Sequence, residues 1–513
     1  MSKRRNSSLA SVALPGLSDV GTSETLTYDM NQENPNKEYA ESGESTGLLS
    51  GESEDLSWYQ DIINTWTLSW PIFGTFMLQV GPGITNIIFL GHLEHEALGA
   101  GTLATMFIQI TGNSIGQGLA TAMDTLASQA YGSGQKKKVG VVLQRGLIIL
   151  NLASIPMLAM WVNTERILNA VGQDPKIAKM AGDFVWYYTP GLWAMLSYEP
   201  LKKFLQAQGI VKPGMYVAAF ANVWNIFMNW LLIFGFNWGF LGAPVARITT
   251  QWMMVFCLLG YMKFTGAGKE CWDGYSPECW QKWGQFFKLA IPGCLMTAAE
   301  AWAFEAMTLA AGYMGAEYLA AQSIIMQFAM YTILLPFSIG VAGTIRVGQF
   351  LGKGDAKRAR RSAWAATILA VISAGLVAAA MISLRYKLPR VYSTWDKAID
   401  IASTIIPIVA FEGVFDAVNI CGSGVFRGAG KQMTGFFLNL VAYYVIGLPL
   451  GFYMGFGLGW KAYGMWMGML IALMIIAVVV IIIFFRIDWN EEVENAQRRI
   501  GDDGDEAPII TGH

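Results

Sequence analysis

From Trp58 onward, long apolar runs alternate with short polar connections. About 20 apolar residues in a row are enough to cross a bilayer as a helix. The pattern predicts helices over 62–90, 98–131, 139–162, 178–207, 214–235 and 240–264. A polar loop follows, from Lys263 to about Trp283. Further helices are expected over 287–313, 317–350, 357–384, 398–427, 433–456 and 461–486. Twelve such segments describe an all-α polytopic membrane protein. Residues 1–56 are rich in Ser, Glu, Asn and Gly, cannot bury a core, and are expected to be a disordered tail. The Lys3-Arg4-Arg5 start has no apolar run behind it and is not a signal peptide. Residues 489–513 read as a second polar, mobile tail.

The second half repeats the first. Pro71 precedes Gly91 as Pro292 precedes Gly312, and Glu96-Ala-Leu-Gly-Ala returns as Glu317-Tyr-Leu-Ala-Ala, both 221 residues on. Gln129-Ala-Tyr-Gly returns as Gln349-Phe-Leu-Gly, shifted by 220, and Phe204-Leu-Gln-Ala-Gln-Gly parallels Val425-Phe-Arg-Gly-Ala-Gly. Six helices separate the copies, so both have the same topology and are related by an axis along the membrane normal. The expected organisation is an N-lobe with its following loop (57–275) and a C-lobe (276–488), facing each other across a central cleft. That is transporter architecture.

Charge then sets the orientation. Lys and Arg concentrate in alternate connections, from Lys136–Lys138 through Lys202, Lys203 and Lys212 to Arg358, Arg360, Arg361 and Lys431. Basic loops stay on the cytosolic side, so both tails are expected there. Arg166, Lys176, Lys179 and the Arg385–Lys397 stretch are exceptions on the other side. Glu44-Ser-Thr-Gly-Leu48-Leu49 has the form of an acidic dileucine sorting signal for vacuoles or lysosomes; the plasma membrane is the alternative location. With 54% apolar and 14% charged residues and a net charge of −2, the composition excludes a nucleic-acid partner. The five cysteines are scattered and read as free thiols. No nucleophile–base pair, metal-ligand spacing or phosphate loop stands out, so neither an enzyme nor a cofactor is expected. His92 and His95 sit in a short turn and make a weak metal candidate.

The chemistry lies in acids inside the membrane. A carboxylate at the centre of a membrane helix costs roughly 2.5–3.5 kcal/mol and marks a function by default. The stretch from Phe287 to Gly312 carries Glu300 and Glu305, five residues and so roughly 140° apart around the axis. One is expected to work in a cavity and the other to anchor packing; Glu300, nearer mid-membrane, is the working group. Glu300 lies 13 residues from Phe287 and Asp416 11 residues before Arg427, about 20 and 16 Å from the same side at 1.5 Å per residue. At similar depth on two helices they can share one site. Glu412 is on the same face of its helix, four residues from Asp416. Three ionised acids in one dry site would repel severely, so some must carry protons.

Three stretches give a resemblance. Gly118–Gln135 (GLATAMDTLASQAYGSGQ) with Leu143-Gln-Arg145, Pro200–Pro213 (PLKKFLQAQGIVKP), and Phe415-Asp-Ala with Gly424–Gly430 (GVFRGAG) are similar to signatures of the multidrug and toxic compound extrusion family, of eukaryotic, fungal-like type. The resemblance runs from Trp58 to about Arg486. It implies a monomeric antiporter that moves organic solutes, mostly cationic or amphipathic, against protons or sodium by alternating access. Glu300 falls on the family's helix 7 glutamate, Asp416 on its helix 10 aspartate and Gln109 on a cleft-facing polar position. The coupling set is thus Glu300, Asp416, Glu412 and Glu305, and the cleft set Gln109, Phe304, Tyr331 and Asn419. The helix 1 aspartate of many bacterial members is missing, and the helix 8 cleft tyrosines of animal members fall on Met326 and Ile333. Asp124, near a helix end, reads as structural. A flippase for lipid-linked substrates is the rival; it would prefer a cationic cleft, and Arg247 is the clearest basic residue within a span.

Overall fold

The computed structural model describes residues 58–501, except Glu94 and the side chain of His95. The N-terminal tail, its dileucine motif, the His92–His95 pair and residues 502–513 therefore lie wholly or partly outside the described residues. Within them, the expected twelve spans are present. The first lobe contains α1 (Trp58–Gly91), α2, α3 (Lys136–Val162), α4, α5 and α6 (Gly242–Thr265). The second contains α7 (Trp283–Met314), α8 (Ala316–Lys353), α9 (Ala356–Leu384), α10 (Asp396–Ala429), α11 and α12 (Lys461–Arg486). Eight of the described helices are long and apolar enough to cross a membrane on those grounds alone.

Four spans are not plain α-helices. α2 runs from His95–Ile108 through a π turn, Gln109–Asn113, into Ser114–Gly132. α4 is broken into Pro175–Tyr188 and Gly191–Ala207 at Pro190, which has no N–H to continue the ladder. α5 joins Lys212–Trp230 to a π turn, Leu231–Gly235, and α11 passes through two π segments, Leu440–Gly447 and Tyr453–Gly457. Such turns open the hydrogen-bond ladder and recur at functional sites.

Each lobe has its own core, one built around Met123, Trp161, Phe184 and Phe204, the other around Phe328, Val425, Trp466 and Phe484. The lobes are fastened at the end that carries the basic loops, and the fastening follows the repeat. Gly132 on α2 lies against the backbone of Gln349 on α8, and Gly352 on α8 lies against the backbone of Gln129 on α2. A Cβ at either glycine would drive the helices apart. The Gln129 amide donates across to the carbonyl of Gly428 at 2.9 Å, and Gln349 donates to that of Ala207 at 2.8 Å. Gly428 and Ala207 are themselves 221 residues apart. Beside this clasp, Asp61 of α1 is buried with Arg346 of α8 at 3.1 Å and Arg361 of α9 at 2.7 Å.

The expectation of a mobile C-terminal tail is corrected over its first part. Trp489–Gly501 form α13, begun by Asp488, whose Oδ1 accepts from the N–H of Asn490 at 2.9 Å. Trp489, Glu492, Ala496 and Ile500 are buried at helical spacing. Glu492 pairs with Lys431 at 2.5 Å, Arg499 donates to Gln129 at 3.2 Å, and Lys138 donates to the Ile500 carbonyl at 2.6 Å. α13 therefore rests on both lobes at the basic end. All five cysteines are free. Burial pushes the Cys271 thiol, in the loop after α6, up to about 12, which leaves it protonated and unreactive.

Candidate functional site

The C-lobe gathers three acids on two helices. Glu412 and Asp416 stand one turn apart on α10, 2% and 1% exposed. Glu300, on α7, is partly buried, and its charge and those of Glu412 and Asp416 act on one another. The Asn419 amide, three residues beyond Asp416, donates to its Oδ1 at 3.5 Å and to the hydroxyl of Tyr443 at 3.3 Å. Tyr443 is fully buried on the π segment of α11, where the fields of all three acids reach it. Glu412 Oε1 and Asp416 Oδ2 are shielded from solvent and have no hydrogen-bond partner. A buried, unpaired anionic oxygen is expensive. Such a site can hold protons, or a cation that enters it.

The other expected coupling residue stands apart. Glu305 is exposed on a different face of α7, with no ion pair among the described residues, so the structure does not bring it to the cluster. Its exposure does not fit the expectation of a packing anchor either. Of the cleft set, Asn419 joins the acids. Phe304 is buried against Tyr443 and Trp466, with ring centroids 6.3 and 6.1 Å apart, and packs the core rather than facing the cleft. Tyr331 is exposed, its hydroxyl 3.3 Å from that of Tyr392. Asp124 pairs with Lys203 at 2.6 Å, near the clasp. Arg427, taken from the sequence as a marker of the helix end, is itself buried, and its charge reaches Glu300.

The N-lobe holds a second polar site. A cavity of about 450 Å³ is lined by Gln79, Gln109, Asn113, Gln117 and Gln251, and completed by Met330 and Leu334 from α8 of the other lobe. Glu199 also lines it, but Lys202 engages that carboxylate at 2.7 Å. By the repeat, Gln79 is the counterpart of Glu300, Met195 of Asp416 and Tyr198 of Asn419, each at a shift of 221. All three line this cavity. It is the same place in the other lobe, with the acids replaced. Tyr443 and the Glu199–Lys202 pair escaped sequence reading. A tyrosine in an apolar run carries no signal, whereas a Glu and Lys three apart within a span could have been read as a pair.

Two like lobes related by a repeat, each with a polar site among its helices, are the architecture of a membrane transporter. Comparison with known proteins names the kind. The family model MatE matches residues 71–231 and 292–453, two stretches that begin 221 residues apart, the interval of the repeat. Multidrug and toxin extrusion protein 2 of Mus musculus is 36% identical over 435 residues, covering 85% of this chain and 76% of its own length. An uncharacterized transporter, C4B3.13, of Schizosaccharomyces pombe is 33% identical over 466 residues, covering 90% and 86%. The crystal structure of the eukaryotic MATE transporter AtDTX14 superimposes with a TM-score of 0.80 at 28% identity, covering 86% of this chain and 99% of that one. The chain belongs to the MatE family.

Proposed function

We propose that the chain is an antiporter that exports or sequesters organic solutes, cationic or amphipathic, in exchange for protons. The multidrug and toxin extrusion proteins among its relatives support export of organic solutes, and the acids of the C-lobe favour cationic ones. The observation that carries the coupling is the pair of shielded, unpartnered carboxyl oxygens on Glu412 and Asp416, with Glu300 in electrostatic reach. Protons at Glu300 and Asp416 compensate the acids while the cleft is empty of solute. A cationic solute replaces them, and the lobes exchange access around the site. The basic end, with its Gln129–Gln349 clasp, is the cytosolic end, and both tails lie there, in a plasma or vacuolar-type membrane. The chain acts as a monomer.

Sealed vesicles carrying the full chain test this with imposed pH or sodium gradients and labelled tetraethylammonium. A pH gradient alone is expected to drive accumulation. Accumulation driven by sodium alone would replace the proton reading. Orientation is tested separately: a cysteine at Ser133 should resist an impermeant reagent added outside intact cells, and ready labelling would reverse the topology.

A further inference from the structure

Arg247 is a cation without a counter-ion at the N-lobe cavity. It lies on α6, and its guanidinium carbon sits 5.6 Å from the ring centroid of the buried Tyr188. That stack turns it into the lobe, so it does not snorkel to lipid headgroups. Its Nη1 is shielded from solvent with no hydrogen-bond partner, and no carboxylate pairs with it among the described residues. The only acid lining the cavity among them, Glu199, is occupied by Lys202. The pair is neutral and Arg247 remains, which gives the cavity a net positive charge. Where the repeat puts an acid in the C-lobe, this cavity presents the Gln79 amide. Its five side-chain amides offer further N–H donors to an oxyanion. The volume, about 450 Å³, falls in the usual range of roughly 300–1,000 Å³ for small-molecule sites.

We propose that the N-lobe cavity binds the carboxylate end of an organic solute, with Arg247 as the anion-recognising residue. An arginine fork matches a carboxylate with two parallel hydrogen bonds, and its stack on Tyr188 leaves the fork pre-oriented. Zwitterions and organic anions thereby join the solutes the chain accepts, the cationic end facing the C-lobe acids. This rests on the reading that the chain moves organic solutes, but not on what drives the movement.

The test is binding to the purified full chain with no gradient imposed, so absent proton coupling would not disturb it. The probes are p-aminohippurate and its neutral amide. The native protein is expected to prefer the carboxylate at least tenfold, Arg247→Lys to keep part of that preference, and Arg247→Gln to bind the two equally. Equal affinity in the native protein, or an unchanged preference in Arg247→Gln, would overturn the proposal. A second measurement needs no variant. Phenylglyoxal modification of Arg247, mapped by peptide mass spectrometry, should be blocked by p-aminohippurate and not by the amide. Modification at the same rate with the carboxylate present would overturn it equally.

Discussion

The two lobes share a fold and differ in charge at the same place. In the C-lobe, Glu412 and Asp416 are buried and Glu300 partly so, with no cation bonded to them among the described residues. In the N-lobe, the equivalent positions carry an amide, a glycine and a methionine, and the one lining carboxylate is held by Lys202. The clasp at the basic end shows the opposite behaviour: Gln129 and Gln349, with Gly132 and Gly352, are used twice in the same way. On the antiport reading proposed above, the surfaces that would separate and rejoin keep their symmetry, whereas the sites that would distinguish a driving ion from a solute have lost it. A symmetric pair of acid sites would bind two ions alike and leave no chemically distinct place for the solute.

The sharpest way to break this contrast is Glu300→Gln, which gives the C-lobe the amide the N-lobe already has at Gln79. Gradient-driven transport should fall to background at normal expression in the vesicle assay; retained uphill transport would place coupling elsewhere. Next in size is Lys202→Met, which strands Glu199 inside the N-lobe. Losing one partner of a buried pair costs roughly 3–5 kcal/mol. A large drop in the unfolding midpoint is expected, with Glu199→Gln in the same background restoring most of it. No rescue would mean that the pair is not what stabilises the lobe. The smallest effect is expected within the C-lobe. Glu412→Gln keeps shape and donor capacity and should leave transport close to native, while Asp416→Asn removes it. Equal loss in both would mean that the two acids share the exchanged proton.

Much of this was legible because membrane helices announce themselves. The apolar runs matched all twelve spans to within a few residues, and the repeat gave the lobes and the Gln129–Gln349 correspondence. Depth counting along the helices paired Glu300 with Asp416, and the charge of Asp416 acts on Glu300. What stayed hidden depends on tertiary packing. Trp489–Gly501 is polar overall, and its four buried side chains have meaning only against the bundle they rest on. Phe304 shares a helical face with Glu300, but the face turns into the core at its level. Tyr443 reaches the acids from a π segment, which no periodicity foretells. Arg247 was visible as an oddity, yet only the cavity shows that no carboxylate among the described residues neutralises it.

The central claim is that the C-lobe acids exchange a proton for the solute, and proton release on binding tests it most directly. The purified chain is placed in weakly buffered solution near neutral pH and titrated with tetraethylammonium, a permanent cation that cannot itself release a proton. The native protein is expected to release protons in step with solute bound, and Asp416→Asn to release none. Solute binding to the native protein with no proton release, or undiminished release from Asp416→Asn, would contradict the account.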